Sequence, residues 1–533
     1  MCKRDPPPSP PRGGVRGGGG DTYTLLISPG SKRLVWLDTI SNYLLLFFKT
    51  MLTALLLIPL VGAFALLPIA EGTEAGDSRM KRIALVTSMV NFFVSIVLWG
   101  EFDSSASQFQ FVQEFNNLSF CHFHIGIDGI SLYFVLLTTF ITPICILSNW
   151  SNINSGIKYF LIAFLVLETL LIAVFVVLDL MLFYIFFESV LVPLFLIVGI
   201  WGGSETRVRA SFLLFLYTLA GSLFMLLAIM VIYYNVGSTD FTMLSLSEIS
   251  LESQKILWLA FFLSFAVKTP LVPFHMWLPR AHAEAPLAGS VLLAGLVLKL
   301  ATYGYLRVLI NFMPDATSYF SPLVQTIAVV TLIYSSLATI RQTDFKALVA
   351  YSSIGHMAVV VLGLFSNTII GIEGAIALSV AHGVISPAMF VLVGGVLYDR
   401  FHTRVIRYYR GVTVYMPVFS VLFFLTTAFN MAVPLSLNWI GEFLSLAGIF
   451  QRSPLIGLLG ASSIILSACY SIYLFNRISY GSYSRYLSYT TDINRREFMI
   501  MLPLLLVAVV FGIMPNIILG DIHVAVSQLL YTT

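Results

Sequence analysis

The chain has 533 residues, 58% of them hydrophobic and 10% charged, with a formal net charge of +3 at pH 7 and a mean hydropathy of +0.91. A soluble domain carries about 25% charged residues, so this composition excludes a sizeable soluble domain, and the small net charge gives no sign of nucleic-acid binding. Cys2, Cys121, Cys145 and Cys469 show no CxxC and no metal-ligand spacing. With no GxGxxG or GxxxxGK[ST] present either, no iron–sulfur cluster, flavin or nucleotide is expected on this chain.

In chain order, residues 1–33 form a composition break within an N-terminal extension over 1–50. PPPSPPRGGVRGGGG suits neither a helix nor a core, because Pro lacks a donor and Gly is entropically costly to fix. A disordered extension is expected there, and Met51 opens the first span with MLTALLLIPLVGAF. Apolar runs long enough to cross a bilayer then recur almost to the C-terminus. The sequence predicts an all-α polytopic membrane protein of about fourteen transmembrane helices. Their cores are 51–70, 83–100, 130–149, 158–178, 180–200, 210–234, 256–274, 285–310, 321–340, 347–365, 372–397, 414–449, 455–478 and 498–519, with a tail over 521–533. The seventh is interrupted at Pro270 and the over-long twelfth at Pro434. Interrupted helices five spans apart fit an inverted repeat around a transport site.

Charge supports the parse. Of 29 Lys and Arg residues, seven precede Met51 and two lie inside apolar helices. Seventeen of the remaining twenty fall in odd-numbered loops, and only Lys255, Arg307 and Arg452 fall on the other side. The positive-inside rule puts the odd loops on the cytoplasm-equivalent side and both termini opposite.

The polar groups inside the apolar helices carry the functional reading. A charge at bilayer depth costs about 2.5–3.5 kcal/mol by insertion scales, so retained charges need an explanation. Glu188 sits in DLMLFYIFFESVLVPLF, Lys268 follows ILWLAFFLSFAV, and Lys299 ends AGSVLLAGLVLK. His356 lies beside Ser352 and Ser353, His382 between Ser379 and Ser386, and Glu442 follows the Pro434 break. Histidine titrates nearest neutrality, and a pair such as Glu188 and Lys268 that forms and breaks switches proton affinity. These six are the candidate proton relay. The structural alternative for each is a satisfied group that pins helices together. Glu168, Asp179, Glu373 and Lys346 lie nearer helix ends or pair locally, and His275, His282 and Glu284 gate or cap the loop after the seventh span.

KTPLVPFHMWLPRAHAEAP, DLMLFYIFFESVLVP, YSSIGHM, AHGVISPAMF, LYDR, NWIGEF and HIGIDGISLYFVLLTT resemble the signature segments of the antiporter-like membrane subunits of respiratory NADH:ubiquinone oxidoreductase (complex I). The resemblance covers about residues 51–520. It implies two inverted five-helix repeats, about 158–310 and 321–478, with helices 7 and 12 broken. It also implies proton translocation driven at a distance by quinone reduction. Glu188 and Lys268 would be the coupled pair, Lys299 the relay, His356 and His382 its continuation and Glu442 its end. A glutamate at 442, where sister chains usually carry lysine, implies one branch of the family. VPLSLNWIGEF departs from the commoner P-G-x-x-x-F-x-G-E pattern. NAD, FMN, iron–sulfur clusters and ubiquinone would belong to partner subunits. The implied partners are other complex I subunits, including neighbouring antiporter-like chains, together with membrane lipids. The implied location is the mitochondrial inner membrane, with odd loops in the matrix and both termini in the intermembrane space. Two other readings compete: a subunit of a stand-alone cation/proton antiporter, and a scaffold whose buried charges only hold helices together.

Overall fold

The computed structural model describes residues 50–115, 123–153, 155–247 and 249–531. The extension expected over residues 1–49 lies outside the described residues. The chain folds as helices α1 (Thr50–Leu66), α2 (Glu74–Gly100), α3 (Gly129–Ser148), α4 (Ile157–Val176), α5 (Leu180–Trp201) and α6 (Arg207–Val236). These are followed by α7 (Leu251–Lys268), α8 (Trp277–Glu284), α9 (Leu287–Ile310), α10 (Pro314–Ile340), α11 (Phe345–Leu364) and α12 (Ile369–Phe401). The last five are α13 (Pro417–Asn430), α14 (Leu437–Arg452), α15 (Pro454–Ser479), α16 (Arg495–Ile513) and α17 (Asn516–Tyr531). Among the described residues, eleven of these are long and apolar enough to cross a membrane, and α1, α13 and α17 are shorter apolar helices. The expected cores fall on helices, apart from 256–274, which takes in α7 and the break after it, 414–449, which spans the broken pair α13/α14, and 498–519, which spans α16 and the start of α17.

Short polar side chains set the helix starts. Asp128 caps α3 in a reciprocal capping box with Ser131. Asp179 accepts from the Met181 and Leu182 amides at 2.9 Å each, which starts α5 three residues after α4 ends. Asp344 and Thr368 cap α11 and α12 in the same way. After the α13 break, Ser436 restarts the chain as α14.

The structure departs from the sequence expectation in three places. A two-stranded hairpin, β1 (Gln110–Glu114) with β2 (His124–Ile127), fills the connection between α2 and α3. Three π-helical stretches, Leu293–Val297, Tyr305–Ile310 and Val391–Leu397, interrupt α9 and α12. The core expected at 498–519 stops at Ile513, and the tail expected at 521–533 is largely helix α17. Asp521 of α17 accepts from the Tyr133 hydroxyl at 2.7 Å and Trp99 Nε1 at 3.1 Å. His523 meets Glu373 at 2.6 Å. All three partners lie near the even-loop ends of α2, α3 and α12, so α17 runs across that face of the bundle.

The odd loops gather at the opposite end. Lys81 and Lys158 donate to backbone carbonyls of Trp150 and Ile69, and Asn152 donates to Asp399 at 2.5 Å. Arg400 pairs with Glu497 at 2.7 Å, and Arg404 stands 3.5 Å from Glu284 and 3.6 Å from Asp344. Loops 1, 3, 7, 9, 11 and 13 therefore share one face. Burial pushes the Asp344 carboxyl above its usual value, against the pull of Arg404. At the centre of the bundle, α9 and α12 are buried along their whole apolar windows, whereas α2, α15 and α16 are largely exposed. Their outward Phe93, Leu455, Ile465 and Met499 suit contact with hydrocarbon.

Candidate functional site

Four of the six expected relay residues meet at the centre of the bundle. Lys299, fully buried on α9, lies between two π stretches. Its Nζ donates to the Ala294 carbonyl at 2.5 Å, within the wider-wound turn, and stands 2.8 Å from His382 Nδ1. The His382 ring lies 5.7 Å, centroid to centroid, from the His356 ring. His356 Nδ1 then meets Glu442 Oε1 at 2.8 Å, with both side chains 3% exposed. The outer Nε2 of each histidine and the Glu442 Oε2 have no protein partner, which leaves each group a second position to take or give a proton. Lys299, His382, His356 and Glu442 thus form a run of titratable atoms from α9 across α12 and α11 to α14. Of the four serines beside the histidines, Ser353 and Ser386 bond to each other at 3.1 Å between α11 and α12.

Glu188 and Lys268 form a second centre on α5 and α7. Lys268 is 1% exposed. Its Nζ donates to the Phe187 carbonyl at 2.9 Å and sits 3.3 Å above the Phe187 ring centroid. A desolvated cation–π contact contributes about 2 kcal/mol, and with the carbonyl bond it offsets much of the cost of holding the ammonium at this depth. Glu188 is the next residue, yet no Lys268–Glu188 ion pair within 4 Å occurs among the described residues, and Glu188 Oε1 has no partner. The backbone carbonyl takes the bond that the sequence expects the carboxylate to take. Cation and anion are neighbours in an unlatched arrangement.

The family model for the transmembrane region of NADH:quinone oxidoreductase and Mrp antiporter subunits matches residues 177–467. NADH-ubiquinone oxidoreductase chain 4 of Mycosarcoma maydis is 75% identical over 482 residues, covering 90% of this chain and all of the relative. The chain belongs to the antiporter-like family of NADH:quinone oxidoreductase membrane subunits. In respiratory complex I from Thermus thermophilus with bound NADH, a chain with 28% identity superposes with a TM-score of 0.81, over 90% of this chain and 99% of its own length. A chain of the Mrp complex from Dietzia sp. DQ12-45-1b shares the fold at 18% identity, with a TM-score of 0.80 over 91% and 98% of the two chains.

The antiporter-like fold places the secondary candidates unequally. Asp179 is a cap that also accepts from the Thr239 hydroxyl at 2.7 Å, apart from the relay. Glu168 is buried against Asn91 Nδ2 at 2.6 Å. Glu373 bonds to His523 of α17, and Glu284 to Ser204 and Arg404 at the odd-loop face. His275 packs edge-on to Tyr334 with its ring centroid 5.3 Å away. Arg307 corrects the loop assignment made from charge: it is 4% exposed inside α9 and pairs with buried Asp128, beside Tyr303. Its place so near the end of an apolar run gave it the look of a loop residue. Among the described residues no group of three or more His, Cys, Asp or Glu side chains is arranged to hold a metal ion.

Proposed function

We propose that this chain is the chain 4-type proton-translocating subunit of NADH:ubiquinone oxidoreductase, and that Glu188, Lys268, Lys299, His382, His356 and Glu442 carry the protons. The observation that supports this most directly is the continuous buried run Lys299–His382–His356–Glu442, with contacts of 2.8 Å at each end. Every member can exchange a proton, and the junctions at the two ends lie within reach of a direct transfer. The Glu188–Lys268 centre acts as the switch. When Lys268 leaves the Phe187 carbonyl for the neighbouring carboxylate, its charge is compensated; when it returns, Glu188 is left uncompensated, and the field at Lys299 changes with it. Electron transfer belongs to partner subunits that hold NAD, FMN, iron–sulfur clusters and ubiquinone, and the partners also include neighbouring antiporter-like chains. The two broken pairs, α7/α8 and α13/α14, lie five spans apart, in keeping with inverted repeats at about 158–310 and 321–478. The basic odd loops face the matrix and both termini face the intermembrane space of the mitochondrial inner membrane, following the positive-inside rule.

Gentle solubilisation and native separation, followed by mass spectrometry of the band holding this chain, tests the assignment. Co-migration with NADH-oxidising activity and with flavin and iron–sulfur subunits is the expected result. Migration alone or with small antiporter partners would refute it and favour the Mrp-like reading, which cation exchange in vesicles then tests.

A further inference from the structure

A cavity of about 380 Å³ opens on the odd-loop face, lined by Asn152, Ala285, Lys346, Gly394, Asp399 and His402 among others. Its lining grades inward. Asn152 and His402 are exposed at the rim, Asp399 is half-buried, and Lys346 is 4% exposed. Asn152 holds the Asp399 carboxylate at 2.5 Å. Lys346 makes one long bond, 3.3 Å to the Ala285 carbonyl, and the charges acting on it are those of Arg404, Asp344, Asp399 and Glu284. A lysine this deep has space because Gly394 faces it. A Cβ at 394 would stand 2.9 Å from Lys346 Cε.

Behind the cavity the helices present two facing stripes, polar except at Phe390 and Gly394 of α12. On α12, residues 382, 386, 390, 394 and 398 follow one another at intervals of four, from His382 in the central run out to Tyr398 on the cavity wall. On α11, Lys346, Ser353 and His356 follow at intervals of seven and three. Lys346 and His356 are ten residues apart, about 15 Å along the helix axis, too far for direct transfer. The Ser353–Ser386 bond bridges the stripes in between. His282 fills the remaining step. It is fully buried, both its ring nitrogens are unpartnered, and its ring stacks on Phe390 at 4.8 Å and 6°. The cations whose fields reach it are Lys346 and Lys299, and its own field reaches His382.

We propose that this cavity is a proton inlet, in which Lys346 takes protons from water at the Asp399 rim and His282 passes them to the His382–Lys299 junction. One proton leaves cavity water for Lys346, moves to His282 and then to the central run, and each group returns to the protonation state in which it began. Lysine at such a depth can give up its proton, whereas arginine in the same place cannot. This inlet rests on the relay reading above.

The test uses the whole complex in sealed inner-membrane vesicles, with NADH oxidation and proton translocation recorded together and assembly followed by native separation. Lys346→Arg keeps the charge and its neighbours but does not release a proton. His282→Phe keeps the ring on Phe390 and removes both nitrogens. Lys299→Met marks the central run. The inlet predicts that Lys346→Arg and His282→Phe assemble and lose translocation by the same factor as Lys299→Met. A purely structural Lys346 predicts normal pumping in Lys346→Arg, and that result would overturn the inlet. Normal pumping in His282→Phe alongside an impaired Lys299→Met would overturn it while leaving the central relay intact. Normal pumping in Lys299→Met would overturn the relay, and the inlet with it. If one inlet variant fails to assemble, the other decides.

Discussion

Glu442→Gln separates a relay from a scaffold at the end of the central run. The amide keeps the shape of the carboxylate and still offers an oxygen to His356 across the 2.8 Å contact. Both partners are 3% exposed, so the structural loss is that of charge assistance in a buried bond. Bonds to charged groups contribute about 1.5–3 kcal/mol and neutral ones about 0.5–1.5 kcal/mol, a loss of about 1 kcal/mol. The amide fills the same volume as the carboxylate, and the subunit should assemble. The transfer step is affected far more, because an amide does not accept and release a proton in this range. Removing a positioned proton-transfer group slows its step about 10²–10⁴-fold, which is about 2.7–5.5 kcal/mol of barrier. The assay is dye-reported proton uptake per NADH oxidised in sealed vesicles, with the amount of intact complex as the denominator. Glu442→Gln should give near-normal assembly and a collapsed proton yield, and Glu442→Asp should recover part of it. An assembled Glu442→Gln complex pumping within about twofold of the parent would refute the reasoning, since a loss of at least 10² is expected.

Three further outcomes follow from the geometry. Lys268→Ala frees the Phe187 carbonyl and removes the ammonium from its ring; the complex should assemble and show impaired coupled turnover, whereas a scaffold role would appear on native gels as lost assembly alone. Arg307→Ala strands buried Asp128 and should cost about 3–5 kcal/mol, read as loss of the subunit or a lower unfolding temperature, with partial recovery in the Arg307→Met/Asp128→Leu double variant. Asp179→Ala removes the α5 cap and the Thr239 bond at about 1–3 kcal/mol; the complex that does assemble should keep its proton yield, and a reduced yield would give Asp179 a part in proton transfer.

Much of the architecture was legible because its signals are local. Pro270 and Pro434 remove backbone donors, and the seventh and twelfth spans break where they fall, although Pro143, Pro387 and Pro503 are carried inside continuous helices. The cost of burying Lys and Arg keeps them in loops, the positive-inside bias sorts them to the odd ones, and those loops do share a face. The residues of the proposed relay were legible as types, since a histidine or glutamate amid twenty apolar residues stands out on its own. Their connections were not. Which atom Lys268 chooses depends on how α5 and α7 cross, and the choice of the Phe187 carbonyl over Glu188 leaves no mark in either segment. Arg307 was read as a loop charge because its partner Asp128 lies 179 positions earlier. Lys346 looked like a helix-end or locally paired residue and His282 like a gate or cap in the loop after the seventh span, and only the packing of α8, α11 and α12 sets them between a surface cavity and the core. The α17 helix was hidden by the length rule for spans, because it lies across the bundle and needs no twenty-residue apolar run.

The π stretch at Leu293–Val297 fixes where Lys299 points. Each residue of an α-helix advances the side-chain direction by about 100°, and a π turn holds one residue more than an α turn. The part of α9 that carries Lys299 is therefore rotated by about that angle from the face a regular helix would give it. Deleting a single residue between 293 and 297 would restore the regular winding without touching any titratable group. It would also turn the ammonium away from His382 by roughly a quarter of a revolution. The aim of the central lysine is thus set by a miscount in the helix five residues upstream, and a helix that can shift that miscount by one position has the means to break the proton path and remake it.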